Sequence, residues 1–273
     1  AALPLGVLHG LSRMFAFLAW YVFPYKPAVI RDSLAKAFPE KAPKDIESIR
    51  HEFYRSYGDV MVEIVKSASM DEGEFDDRMR FTNFHIVREK IASGTPAVLL
   101  AGHQCNWEWL LLAMSKRLGF PVDTAYKPLK NGWADREMLA LRSRFGARMV
   151  PADRMMRDII ARRSVPRLIA LAADQEPVAS DRRHWTTFLN RDTAFFMGGD
   201  VIASSLDYPV FFATIRRTAR GRYEASFELM RDKNEALAPG ELTERFARRV
   251  ERQIHESPPD WPWSHKRWRL KRT

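Results

Sequence analysis

AVLLAGHQCNWEWLLLAMSKRLG, residues 97–119, is the stretch that decides the architecture. AVLLAG (97–102) reads as a short buried strand. Asn106–Leu118 reads as a helix closed by Gly119. The same unit recurs downstream. Val122–Tyr126 is a strand and Asp135–Phe145 a helix closed by Gly146. Ala147–Val150 is a strand, Met155–Arg163 a helix and Leu168–Ala173 a strand. A polar loop leads to a helix near 199–206. PVFFATIRR (209–217) and RYEASFEL (222–229) pair across the Thr218–Gly221 turn, and a last helix runs about 239–256. Strand–helix alternation predicts an α/β fold: a central, mostly parallel sheet flanked by helices, with an antiparallel edge.

Upstream the texture is helical. Residues 27–39 form a short amphipathic helix ending before a proline. Residues 43–68 place Ile46, Ile49, Phe53, Tyr57, Met61 and Ile64 on one apolar stripe. Residues 3–23, LPLGVLHGLSRMFAFLAWYVF, are nearly all apolar, and a bilayer span needs ~20 such residues. Arg13 sits near the middle, where a charge costs roughly 2.5–3.5 kcal/mol on insertion. Trp20, Tyr21 and Tyr25, followed by Lys26 and Arg31, resemble an aromatic belt with a basic flank. Residues 1–25 are therefore expected to be a marginal span or an interfacial anchor, with a buried core helix as the alternative. Residues 26–273 are expected to form one α/β domain.

The chain has 273 residues, with 44 Lys+Arg against 34 Asp+Glu, a net charge of +10. Hydrophobic residues at 46% and charged residues at 29% exclude disordered and fibrous classes. One cysteine, Cys105, excludes an intramolecular disulfide framework and a cysteine-based zinc cage. A basic chain expects an acidic partner: nucleic acid, anionic lipid or an acidic protein. The first is set aside, because neither a recognition helix nor RNP-like aromatic strands are found. No H-E-x-x-H metal motif and no glycine-rich phosphate loop occur.

The sharpest chemical feature is AGHQCNWEW. His103 falls where the buried strand ends, the edge at which open α/β sheets bind ligands. Glu108 falls in the first turn of the following helix. With His103 still on the strand-to-helix turn, the two side chains are expected to meet. A carboxylate on one imidazole nitrogen fixes the tautomer and raises the basicity of the other. His103 is then a general base acting on a hydroxyl, with a surface His beside a helix-dipole Glu as the plainer reading.

An H-x4-E pair in this setting resembles the bacterial lipid A biosynthesis (late) acyltransferases, which carry an H-x4-D/E motif. The likeness covers nearly the whole chain. It includes LAKAFPE (34–40), YKPLKN (126–131), the helix with Arg142 and Arg144, LAADQ (171–175) and WPWSHKRW (261–268). The chain departs from the family's aromatic-aromatic-Gly block, reading FLN at 188–190. The resemblance implies a glycerolphosphate-acyltransferase-like fold and acyl transfer from an acyl carrier protein thioester to a hydroxyl of a lipid A precursor. Another lipid, glycolipid or polyene acceptor is the alternative. It implies His103 as base, Glu108 as its orienting acid, and roles for Arg142 and Asp174. Substrate contacts are expected from these two and from Gln175, Lys127 and Asn131, with a helix cap or turn residue as the plainer reading of Asp174. Arg144, two residues on, competes with Arg142. No metal or resident cofactor is expected, since the thioester, carried on phosphopantetheine, is already activated. The expected location is the cytoplasmic face of the inner membrane, against anionic lipid.

Other residues have plainer readings. Cys105 is read as a small buried residue rather than a nucleophile. Lys127 and Lys130 are phosphate contacts or solvated loop charges. Arg136, Arg142, Arg144 and Arg148 are a docking face for phosphate or carrier protein, or simply solvated. The Trp-rich tail is read as a clamp on the core, with interfacial contact as the alternative. First-turn N–H groups around Asn106 and Trp107 are candidate oxyanion donors.

Overall fold

A computed structural model describes residues 3–178 and 182–272; residues 1 and 2 of the expected anchor and Thr273 of the tail lie outside it. Helices α1 (Leu5–Phe17), α2 (Pro27–Ala37), α3 (Pro43–Lys66) and α4 (Glu72–Arg78) come first. Then follow β1 (Met79–Phe81), α5 (His85–Ala92), β2 (Ala97–Ala101), α6 (Trp107–Arg117), β3 (Val122–Tyr126) and α7 (Gly132–Arg142). Next are β4 (Ala147–Pro151), α8 (Met155–Ala161), β5 (Leu168–Ala172), β6 (Arg183–Phe188), β7 (Arg191–Phe196) and α9 (Gly198–Leu206). β8 (Val210–Ala219), β9 (Arg222–Arg231) and α10 (Glu241–Glu256) complete the order.

Seven strands form one sheet in the order β1-β9-β8-β2-β5-β3-β4. Every pairing is parallel except β8 with β9. The mostly parallel sheet is as expected, but β9 is not its edge, because β1 pairs beyond it. The central strands are apolar on both faces, as parallel strands covered by helices must be. In β2, Val98 and Leu100 join the core beneath α9 and α10, while Ala97 and Leu99 join the core beneath α6.

The structure replaces the expected polar loop with a hairpin, β6–β7. Leu189 and Asn190 form its two-residue turn, both at positive φ (50° and 60°). Two positive φ values define the hairpin turns usually marked by Asn-Gly, and a leucine there hides the signal. Leu189 is buried and its N–H donates to Glu251 Oε1 at 2.6 Å. α7 begins three residues early because Asn131 Oδ1 accepts the Ala134 N–H at 3.0 Å and caps it.

α1 continues through a π-helical turn (Leu18–Val22), and Leu5–Val22 is the one described helical run long and apolar enough to span a bilayer. One side packs on α3. His9 Nε2 meets the fully buried Glu63 Oε1 at 3.0 Å, and Ser12 bonds Asp59. Trp20 stacks edge-on against His51 and Tyr54. The other side exposes Val7, Met14, Phe15, Phe17 and Tyr21. A Cβ at Gly58 would stand 3.3 Å from the Ser12 carbonyl oxygen, so the crossing admits almost no side chain there. Gly58→Leu is expected to cost about 1–3 kcal/mol by overpacking. Amide hydrogen exchange should then rise in Leu5–Phe17 while the sheet keeps its protection.

Candidate functional site

The site grows from two adjacent strand ends. Ala101 of β2 is in register with Ala172 of β5, and the Ala173 N–H donates to the Ala101 carbonyl at 3.1 Å. The next residues, Gly102–His103 and Asp174, therefore leave the carboxyl edge side by side. A Cβ at Gly102 would stand 3.4 Å from Asp174 Oδ2, so this position keeps the carboxylate uncrowded.

Asp174 is 1% exposed and holds His103 twice. Its Oδ1 meets His103 Nδ1 at 2.6 Å, and its Oδ2 accepts the His103 backbone N–H at 3.0 Å. Oδ2 also accepts Trp261 Nε1–H at 2.8 Å, and Arg267 Nε donates to the Asp174 carbonyl at 2.7 Å. The carboxylate makes Nδ1 the protonated nitrogen, so the lone pair lies on Nε2. There the Gln175 amide approaches at 3.3 Å.

This corrects the expected pairing. The carboxylate on the His103 imidazole is Asp174, and Glu108 instead holds Arg142. Arg142 Nε donates to Glu108 Oε2 at 2.8 Å and Nη2 to Oε1 at 2.5 Å, a bidentate pair with Glu108 buried. Trp107 Nε1 adds a donor to Glu108 at 3.1 Å, and its ring packs edge-on to His103, centroids 5.3 Å apart. α6 starts only at Trp107, and Glu108 lies one residue into it. His103 sits outside the helix and turns to the neighbouring strand end instead. Arg142 is also separated from its competitor: Arg144 donates to the Ser67 and Met70 carbonyls beyond the end of α3.

The loop between His103 and α6 is pinned at every residue. Gln104 Nε2 donates to the Ser257 carbonyl at 2.9 Å. The Cys105 N–H donates to the Asp260 carbonyl at 2.9 Å, with Cys105 itself at φ 51°. Asn106 Oδ1 caps α6 at the Trp109 N–H, and Nδ2 donates to Glu63 Oε2 at 3.0 Å. Cys105 is buried, and burial with the Asp260 charge pushes its thiol well up, so it is a packed residue as read from the sequence.

Lys127 stands exposed beyond β3 on the same carboxyl edge, and Asn131 serves as the α7 cap. The arginine face is mostly occupied: Arg148 pairs with Asp158 at 2.6 Å, in addition to the engagements of Arg142 and Arg144. Sequence reasoning missed Trp261 and Arg267 as supports of Asp174. The tail does clamp the core, with Trp268 Nε1 on Thr193 Oγ1 at 2.8 Å, but nothing in its composition points to a particular carboxylate. His265, also in the tail, has its Nδ1 buried without a hydrogen-bond partner. Among the described residues no three His, Cys, Asp or Glu side chains gather as a metal-binding group.

Burial opposes the charged form of His103, but the Asp174 charge and hydrogen bond outweigh it and raise the imidazole above its ordinary range. Burial would likewise raise Asp174, yet the His103 charge and the N–H donors lower it to about 2. The sign of the linkage differs for the two groups. The Asp174 contribution to stability is present above its unfolded value of about 3.9 and is lost as pH falls toward 2. The His103 contribution is present below about 6.5 and is lost as pH rises through the raised folded value. In Asp174→Asn the opposing charge is gone and burial remains. The His103 imidazole, followed by NMR, should then titrate below the wild-type value; an unchanged titration would refute the assigned pairing.

Among curated proteins the chain has no match. A family model described as Bacterial lipid A biosynthesis acyltransferase matches residues 1–270, from before α1 into the tail that holds Asp174. The chain therefore belongs to the bacterial lipid A biosynthesis acyltransferase family and is an acyltransferase.

Proposed function

We propose that the protein transfers an acyl chain from an acyl carrier protein thioester to a hydroxyl of a lipid A precursor, with His103 as general base. The observation that carries this reading is the His103 Nδ1–Asp174 contact at 2.6 Å, which leaves the Nε2 lone pair facing a displaceable amide. Nε2 takes the proton of the acceptor hydroxyl as its oxygen attacks the thioester carbonyl. The tetrahedral oxyanion is met by N–H groups at the start of α6, which have no carbonyl four residues back within the helix. Collapse breaks the carbon–sulfur bond, and the imidazolium returns its proton to the leaving thiolate. Ester and free thiol result, with no other reactant.

Arg142 is the group for an anion of either substrate. Glu108 occupies Nε and Nη2, and Nη1 has no protein partner among the described residues. Lys127 lies on the same edge and supplies a second cation. The exposed aromatic side of α1 is the membrane contact, holding the domain at the cytoplasmic face of the inner membrane where both substrates meet.

His103→Ala is expected to lower transfer by roughly 10²–10⁴-fold while the protein still folds at a lowered thermal midpoint, because Asp174 Oδ1 loses its partner but Oδ2 keeps Trp261 and the backbone N–H as donors. The assay is thiol release from acyl carrier protein with mass spectrometry of the acylated lipid; near-normal turnover would sink the mechanism. Glu108→Gln and Arg142→Gln should each weaken transfer, and the double variant should lose little more than either single one. Additive losses in that cycle would mean the two side chains act separately.

A further inference from the structure

Where the packed and exposed sides of α1 meet, a shallow crevice runs between α1 and α3. Its apolar end, about 340 Å³, is bounded by Ala16, Phe17, Tyr21 and Tyr54. A cationic end of about 210 Å³ reaches Arg217 and Arg220, and Arg13 and Arg55 line both ends. The four arginines are not equivalent. Arg217 is held by Asp260 at 3.1 Å and Arg220 by Asp59 at 2.7 Å. Arg13 and Arg55 make no hydrogen bond, ion pair or ring contact among the described residues. Four arginines stand against Glu52 and Asp59 in the lining and Asp260, the partner of Arg217, which leaves a net charge of one positive at the crevice.

Two free guanidinium groups at the mouth of an aromatic groove match one ligand class. A phosphate accepts from both forks, and an acyl chain follows the apolar wall. The groove opens beside the exposed Phe17 (56%) and Tyr21 (64%), aromatic side chains suited to headgroup depth. We infer that the α1–α3 crevice binds one anionic membrane lipid, its phosphate between Arg13 and Arg55 and an acyl chain along Phe17 and Tyr54. An acidic protein would satisfy the arginines but leave the apolar end unfilled. The inference rests on α1 meeting the bilayer and needs nothing from the acyl-transfer chemistry. It gives Arg13, costly at the centre of a span, a place at the interface.

The test uses the full chain and a binding readout. On phosphatidylcholine vesicles containing about a third phosphatidylglycerol, wild type should bind roughly tenfold or more tighter than on phosphatidylcholine alone. Arg13→Gln/Arg55→Gln should lose most of that gain and keep its neutral-vesicle binding. Arg154→Gln/Arg157→Gln removes the same charge beside β4, at the far end of the sheet, and should change the gain less than about twofold. In native mass spectrometry, soluble dihexanoyl phosphatidylglycerol should occupy one site on wild type and none on the first variant. Equal weakening by both variants would overturn the site in favour of a diffuse field. Displacement by inorganic phosphate at equal concentration would reduce it to an anion site. Acyl carrier protein binding lost in the same variant would assign the crevice to the carrier instead. Absent neutral-vesicle binding would count against the α1 membrane contact alone, and the soluble lipid would still decide the crevice.

Discussion

A single buried carboxylate organises this protein. Asp174 is nearly inaccessible, and a charge in that position is tolerable only if its lone pairs are filled. They are filled by the imidazole and backbone N–H of His103 and by the indole of Trp261, while Arg267 takes the carbonyl of the same residue. Three distant segments thereby converge: the end of β2, the end of β5 and the C-terminal tail. Leaving such a charge uncompensated costs about 3–5 kcal/mol, so the requirement that sets the imidazole tautomer also docks the tail.

The same logic orders the turn that carries His103. Each residue from His103 to Asn106 is bonded to a different part of the molecule, and Glu63 extends the connection to α1 through His9 and to β9 through the Tyr223 hydroxyl at 2.5 Å. A side chain on a loop is only as well placed as the loop's anchors. Here the anchors are buried polar groups, whose alternatives are unsatisfied and expensive. Cys105 adopts a left-handed conformation within this frame, a strain held in place by its own N–H bond to Asp260.

Much of the fold was legible because the apolar runs at 97–102, 122–126 and 168–173 are short, uncharged and separated by helix-period segments. β8 was legible from its apolar run and β9 from its alternation, on either side of a glycine turn. The β6–β7 hairpin was not, since its turn is Leu-Asn and the energy that tolerates a leucine at positive φ comes from burying it against the core. His103 and the ends of the site were legible from their places at strand termini. The partner of His103 was misread because sequence spacing favours the near carboxylate, Glu108, five residues away, over Asp174, 71 residues away.

By itself the sequence determined the strand–helix alternation, the position of His103 at a carboxyl edge, the apolar run at the N-terminus and the family. These follow from local pattern, which is a property of neighbours along the chain. Tertiary structure alone decided which carboxylate meets the imidazole, that Glu108 engages Arg142 rather than His103, and that the Trp-rich tail supports the site. Those outcomes depend on strand order, because β5 rather than any nearer segment lies beside β2, and hydrogen bonds in a buried site form with whatever donor or acceptor that order brings within reach.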